Sequence, residues 1–255
     1  MNTQAQTRLR IPLLLCLAVL LLPPAAGAQD STLKLPPYKK AKLANGMTVL
    51  LMEQHEVPII SFSLVTKTGA AADPAGKEGL ASMTAALLRK GTKTRSADQF
   101  SAELDFIGGT FGAGAGVDSS SAGAEFLKKD IAKGLDLMAD ALRNPVFPAE
   151  EVEKLRKQRI DGIKAQKDRA QGVIGTYFDA YLYGSHPYGR PEGGTETSLA
   201  AITREDVVKF YEANYVPGNL ILAVVGDFQA AEMERWISSR FADWAAKPVP
   251  AVRIT

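Results

Sequence analysis

The chain has 255 residues, of which 46% are hydrophobic and 23% are charged, a composition typical of one large or two small globular domains. Its 30 Lys and Arg residues nearly balance its 28 Asp and Glu residues, so the formal net charge is only +2. Nucleic-acid binders and proteins of anionic membrane surfaces carry a marked basic excess, so we expect no nucleic-acid partner and no membrane partner.

Residues 1–28 have the pattern of a secretory signal peptide. Arg8 and Arg10 precede the apolar run IPLLLCLAVLLLPP, which at about 14 residues is too short to span a bilayer. Small residues follow, and they predict cleavage after Ala28. The one cysteine, Cys16, lies within the apolar run, whereas a lipoprotein needs its cysteine after it. We therefore expect a periplasmic or otherwise secreted protein that has no disulfide and leaves the membrane after cleavage.

The first elements after the signal peptide are β-strands. Residues 29–37 form a proline-containing lead-in, and Asn45-Gly46 lies between two β-like runs, which is typical of a hairpin. Alternating apolar and polar residues predict a strand over residues 59–66. A helix is predicted over residues 77–90, because a glycine follows as a C-terminal cap.

A second helix is predicted to begin after Ser96 as N-cap and to end at Gly108. Two short strands are predicted at about residues 110–116 and 120–126, in a segment that is unusually rich in glycine. Glycine at this density weakens a strand unless another backbone approaches closely.

The second half of the sequence is mainly helical. Apolar residues at helical spacing predict an amphipathic helix, and they are Ile131, Leu135, Met138 and Leu142. A long charged helix is predicted from Pro148 and is expected to continue through VIGTYFDAYLYG. The segment SHPYGRPEGGTET is predicted as a loop, followed by a helix capped by Thr203, the buried strand NLILAVVGDF and a last amphipathic helix.

This order of elements predicts an α+β domain, with a mixed, largely antiparallel sheet and helices packed on one face. The domain is expected to span residues 38–245. Residues 246–255 are rich in proline and are predicted to begin a linker.

Several of these segments, taken together and in order, resemble the pitrilysin/insulinase-type (inverzincin) zinc peptidases, which include mitochondrial processing peptidase subunits and related bacterial proteins. They are LANGMTVLLMEQHEVP, KEGLASMTAALLRKGT, the glycine-rich strand pair, the long charged helix, HPYG and NLILAVVGDF. The resemblance covers about residues 38–250 and implies the fold of mitochondrial processing peptidase-like metallohydrolase domains. Half-enzymes of this family usually carry two such domains in tandem, so the resemblance leaves open that the chain is a fragment.

The resemblance also identifies the positions that carry chemistry in active members. There, H-x-x-E-H places two zinc-binding histidines on one helix face and a general base before the second, and a later Glu is the third ligand. In this chain Ser82 and Ala86 stand at the two histidines, Ala85 at the base and Gly162 at the distal Glu. Alanine and glycine bind no zinc and serine binds it poorly. We therefore expect no catalytic residue and no cofactor in this chain, and zinc only in a partner.

The sequence therefore resembles a non-catalytic member of the family, and the resemblance implies an active zinc-peptidase subunit with H-x-x-E-H as its partner and peptides as the substrate. In related enzymes the matching edge strand holds the substrate. By this resemblance, peptide or partner binding through addition to the sheet edge is predicted for Phe111, Gly112, Ala113, Gly114 and Ala115. The alternative is that neighbouring structure covers this strand.

Two other functions stay open. One is a structural or assembly subunit with no proteolytic role, like the core proteins of respiratory complexes, although export argues against a respiratory setting. The other is an active metallopeptidase with unconventional ligands. The chain has two histidines, His55 and His186, which lie far apart in the sequence and predict no catalytic metal site.

Overall fold

The computed structural model describes residues 36–249, so the predicted signal peptide and residues 250–255 of the predicted linker lie outside the described residues. The strands are β1 (Lys39–Lys42), β2 (Thr48–Glu53), β3 (Ile59–Thr66), β4 (Thr110–Ala115), β5 (Ser120–Leu127) and β6 (Leu220–Gly226). The α-helices are α1 (Leu80–Leu87), α2 (Ala97–Phe106), α3 (Ile131–Arg143), α4 (Ala149–Lys167), α5 (Ala170–Tyr183), α6 (Glu196–Ala201), α7 (Arg204–Asn214) and α8 (Ala230–Phe241).

The strands form one six-stranded sheet in the order β1-β2-β6-β3-β5-β4. Strands β2 and β6 pair in parallel, and the other neighbours pair antiparallel, which confirms the mixed, largely antiparallel sheet. The hairpin at Asn45-Gly46 is confirmed, and Gly46 adopts the left-handed φ of 96° that its turn requires. The glycine-rich strand β4 is an edge of the sheet.

One face of the sheet is buried under the helices. In β3 the residues Ile60, Phe62 and Leu64 are buried, and the residues between them are partly or fully exposed. Their partners across β5 and β6 continue the same face, for example Phe126 and Val224. The opposite face carries the more exposed positions of β3, β5 and β6, so the prediction of helices on one face is confirmed.

Two glycines let α3 and α2 approach the sheet at Phe126, which is 1% exposed. A Cβ atom built on Gly134 of α3 would lie 2.4 Å from Phe126 Cγ, and one built on Gly109 would lie 2.7 Å from its Cδ1. Real Cβ atoms are not found at such distances. Glycine at these two positions therefore sets the distance between the helical layer and the sheet.

The predicted helix 77–90 is shorter in the structure, where α1 covers Leu80–Leu87. Gly79 has a left-handed φ of 96°, and the buried Asp73 carboxylate accepts hydrogen bonds from the N–H groups of Gly79 and Ala81 at 2.8 and 2.9 Å. This side-chain cap begins the helix later than propensity indicated. The helix also ends earlier, because Leu88 N–H bonds to the Ala85 carbonyl, a tighter turn than an α-helical one.

Two other predictions need correction. VIGTYFDAYLYG is helical as predicted, but it lies in a separate helix, because Arg169 has extended backbone angles that divide α4 from α5. The segment predicted as a loop ends in the short helix α6, whose start is capped by the hydroxyl of Thr195. Within residues 36–249, no helix has both the length and the apolar character needed to cross a membrane.

Candidate functional site

Helix α1 lies between the edge strand β4 and helix α4 and packs against both. Most of its residues are buried, and Ala85, at the predicted position of the general base, is 1% exposed. Ser82 and Ala86, at the predicted positions of the two histidines, are half-buried. They are four residues apart and therefore lie on the same face of the helix. This face is the less buried one, and Arg89 continues it three residues beyond Ala86.

Helix α4 brings the fourth position, Gly162, to the same region. Gly162 is exposed, and a Cβ atom built on it would meet no heavy atom within 4 Å. Nothing in the described fold therefore fills the space that a side chain at this position would occupy.

Arg159 occupies the gap between α1 and α4. It lies one turn before Gly162, and it donates from Nη1 to Ser82 Oγ at 2.8 Å and from Nη2 to the Ser82 carbonyl at 3.1 Å. Burial lowers the pKa of the guanidinium, and no acid among residues 36–249 raises it. A cation with no acidic partner among the described residues is therefore held against Ser82, the predicted position of the first histidine.

These residues do not fit the zinc ion that the fold family implies. Ala86 and Gly162 have no donor atom, and the hydroxyl of Ser82 already accepts a hydrogen bond from Arg159. The guanidinium would also repel a divalent cation. Across the described residues, no group of three or more His, Cys, Asp or Glu side chains is placed to hold a metal ion.

The edge strand β4 presents free backbone groups at alternate residues. The Gly116 N–H donates to the Ser119 carbonyl at 2.8 Å, which sets the phase of the antiparallel ladder with β5. Because hydrogen-bonded and non-hydrogen-bonded pairs alternate, Phe111, Ala113 and Ala115 direct their N–H and C=O groups away from β5. In the described part of the chain, β5 is the only strand that pairs with β4.

Backbone carbonyls at both ends of this edge already accept hydrogen bonds from within the domain. Arg89 donates from Nη1 to the Phe111 carbonyl at 3.2 Å. Beyond Ala115, the 3-10 turn Ala70–Ala72 donates to the carbonyls of Gly116 and Val117. The open stretch is therefore centred on Ala113 and Ala115.

The two glycines of β4 are not explained by a close backbone neighbour within the domain. Cβ atoms built on Gly112 and Gly114 would meet no heavy atom within 4 Å. At these two residues this side of the strand carries no side chains, so it can accommodate a large side chain of a bound molecule.

A cavity of about 530 Å³ lies between α4, which contributes Ile163 and Lys167, α5 and the loop before α6. Lys167 pairs with Glu196 across it at 2.7 Å. The Tyr188 hydroxyl donates to the Asp118 carboxylate at 2.9 Å, which ties that loop to the β4–β5 turn. The cavity is therefore lined by α4, α5 and the loop before α6, and Gly162 is not among its lining residues.

Helix α5 exposes an apolar stripe, which we call the α5 stripe. It consists of Ile174, Tyr177, Phe178, Tyr181 and Leu182. These residues recur at i, i+3, i+4, i+7 and i+8, the spacing of one helix face. Tyr181 is 89% exposed and Tyr177 is 71% exposed. A helical stripe of large apolar side chains in solvent is typical of an interaction surface.

The two histidines lie apart from these features. His55 Nδ1 contacts Asp227 Oδ1 at 2.7 Å at the surface, and the hydrogen bond to Asp227 raises the pKa of His55. His186 Nδ1 accepts the Tyr188 N–H at 3.2 Å and caps a short turn.

Sequence reasoning missed Arg159 and Arg89. Each had a detectable signal, because Arg159 is three residues before Gly162 and Arg89 is three residues after Ala86, so each shares a helix face with a vacated position. The sequence could not show that Arg159 pairs with Ser82, because the two residues are 77 positions apart.

Comparison with known proteins decides the family. The family described as Insulinase (Peptidase family M16) matches residues 48–196, which include Ser82, Ala85, Ala86 and Gly162. The chain belongs to peptidase family M16. A second profile of this family, described as Peptidase M16 inactive domain, matches residues 201–255.

Curated M16 relatives are described as uncharacterized zinc proteases. One from Rickettsia felis is 32% identical over 190 residues, which cover 74% of this chain and 46% of the relative. One from Mycobacterium leprae is 29% identical over 202 residues, covering 79% of this chain and 45% of the relative. The chain spans about half the length of the curated relatives that it matches.

Solved structures show the same fold. The crystal structure of a peptidase M16 inactive domain from Pseudomonas fluorescens matches with a TM-score of 0.80 and 26% identity, covering 86% of this chain and 53% of that one. A protease from Helicobacter pylori matches with a TM-score of 0.81 and 23% identity, covering 87% and 54%. The first half of the periplasmic protease PqqL from Escherichia coli matches with a TM-score of 0.77 and 18% identity, covering 86% and 49%. Each match covers about half of the matched chain, and this M16 chain has the fold of that half.

Proposed function

We propose that this chain is an exported, non-catalytic M16 subunit that holds an extended peptide on the edge of its sheet and pairs with an active H-x-x-E-H subunit, which cleaves the peptide. The observation that carries the proposal is the combination of an open β4 edge with a helix α1 that lacks every chemical group of the zinc site.

The β4 edge supports peptide binding through its backbone. Ala113 and Ala115 offer N–H and C=O groups that β5 does not use, and small side chains leave them accessible. Strand addition draws affinity from main-chain hydrogen bonds and tolerates varied side chains, which suits a subunit acting on unfolded peptides.

The α5 stripe supports a protein partner. Its five apolar side chains expose a surface that a soluble domain rarely leaves bare. The relatives that the chain matches are about twice its described length, and structures such as the Pseudomonas fluorescens M16 domain match over only about half of their own chain. M16 domains therefore occur together, and we infer that the active H-x-x-E-H subunit, which carries the zinc, covers the stripe.

The predicted signal peptide in residues 1–28 supports export, and we propose that the chain acts in the periplasm or outside the cell.

The test is co-expression of the full chain with an M16 protein that carries an intact H-x-x-E-H. Co-purification, together with cleavage of an unfolded fluorogenic peptide by the pair and not by either chain alone, would support the proposal. Replacing the base Glu of the partner by Gln should abolish this cleavage. Stoichiometric zinc and peptidase activity in this chain alone would overturn it, and a stable pair without peptidase activity would favour a structural or assembly role.

The interface is tested with a matched pair of variants. Tyr181→Asp places a charge in the α5 stripe and should abolish co-purification. Phe106→Asp changes an equally exposed aromatic residue at the end of α2, 90% exposed, and should leave the pair intact. Equal effects of the two variants would remove the α5 stripe from the interface.

A further inference from the structure

The geometry points to a second element of recognition. We infer that Arg159 is a carboxylate-binding residue that gives the chain a preference for acidic peptides. The inference rests on the proposed function, because the peptide that supplies the carboxylate is the one held by β4.

Most of the hydrogen-bond donors of the Arg159 guanidinium are free in the described structure. Arginine carries five N–H donors, and the described structure uses two of them, both on Ser82. These two bonds hold the plane of the guanidinium against α1. In the described part of the chain no carboxylate pairs with it, in contrast to Arg156 one turn earlier, which pairs with Glu153. A fixed, unpaired guanidinium is a good receptor for a carboxylate, which it can bind through two parallel hydrogen bonds.

Open space lies on the same face of α4 as Arg159. Gly162 follows Arg159 by one turn, and a Cβ atom built there would meet nothing within 4 Å. Ala86 is a single methyl group, four residues after Ser82 on the same face of α1. The loss of the large metal ligands therefore leaves room for a ligand group next to Arg159.

This space borders the peptide-binding edge. Ser82, Ala86 and Arg89 follow one another along one face of α1, and Arg89 contacts the Phe111 carbonyl at the start of β4. The step of seven residues from Arg89 back to Ser82 spans about 10 Å along α1. The same distance along β4 corresponds to about three residues beyond Phe111. The opposite end of α1 contacts the turn Ala70–Ala72, which bonds to Gly116 just after β4. Arg159 therefore lies level with the Ala113–Ala115 end of the edge.

The carboxylate can come from the C-terminus of the peptide or from an Asp or Glu side chain, and the two sources can be separated. Four labelled, unstructured peptides of one sequence are compared by fluorescence anisotropy with the full chain. They are a neutral amidated peptide with one Gln, its free-acid form, the amidated peptide with Glu in place of Gln, and the free acid with Glu.

We expect one of the two carboxylates to improve the affinity roughly tenfold over the neutral peptide at low salt, with less improvement at high salt. Arg159→Gln should remove this difference and leave the affinity for the neutral peptide unchanged. Arg159→Lys should keep part of the preference. Arg156→Gln, on the same helix and with a guanidinium already paired, is the matched control and should keep all of it. Thermal unfolding of each variant shows that it is folded.

Equal affinity of the wild-type chain for all four peptides would overturn the inference and leave the proposed function standing. A preference that survives Arg159→Gln would also overturn it, since another cation would then be responsible. If no peptide binds, the inference and the peptide-binding part of the proposed function fall together.

Discussion

Proline at Ala113 should separate peptide binding from folding. The N–H of Ala113 points away from β5 at the open edge, so Ala113→Pro removes a donor that the sheet itself does not use. The N–H of Gly112, the preceding residue, points towards Gly123 of β5. Gly112→Pro therefore removes a ladder hydrogen bond and is the matched control.

The two effects have predictable sizes. A peptide carbonyl left without its donor costs about 1–3 kcal/mol, so Ala113→Pro should weaken peptide binding roughly 5- to 150-fold. It should lower the free energy of unfolding by only about 1 kcal/mol, the strain of fitting the proline ring. Gly112→Pro should lower the free energy of unfolding by about 1–3 kcal/mol more than Ala113→Pro, because the Gly123 carbonyl loses its partner.

Fluorescence anisotropy with a labelled unstructured peptide gives the affinity, and urea unfolding gives the stability. Ala113→Ser, which keeps the N–H, should bind as the wild type does. Wild-type affinity in a folded Ala113→Pro variant would refute the assignment of β4 as the peptide-binding edge.

Three further predictions concern stability. Gly134→Ala should destabilise the domain by about 1–3 kcal/mol in urea unfolding, because its Cβ would collide with Phe126. Gly162→Ala, at an exposed helix position with open space around it, should stabilise the domain by about 1 kcal/mol. Effects of the same sign for both variants would contradict the packing described. Burial raises the pKa of Asp73 to about 6 from 3.8, so the folded state holds the proton more tightly and stability should fall by about 3 kcal/mol as pH rises from about 4 to about 6. Asp73→Asn should flatten that dependence in melts recorded across this range, and an unchanged slope would assign it to another group. Ser96→Ala removes the capping box of α2 and should cost about 1 kcal/mol, with Ser96→Asp as the variant that retains the stability.

Local signals predicted most of the secondary structure. The alternation over residues 59–66 gave β3 with its exact bounds, and Ser96 was identified as the N-cap of α2. These features depend on neighbouring residues, which the sequence displays directly. The start of α1 was placed too early, because its cap is the side chain of Asp73, six residues before Gly79, and that contact forms only in the folded loop.

The sequence by itself determined which chemical groups are missing at four predicted site positions. Ser82, Ala85, Ala86 and Gly162 carry no set of zinc ligands and no general base in any conformation, since the donor atoms of a side chain do not depend on the fold.

Only the tertiary structure decided what occupies their place. The contact between Arg159 and Ser82 joins two helices that are distant in the sequence. The order of strands in the sheet leaves β4 at an edge, and the same packing leaves the α5 stripe in solvent. These outcomes depend on long-range pairing among all the elements at once, and local sequence patterns carry no record of which surfaces that pairing leaves uncovered.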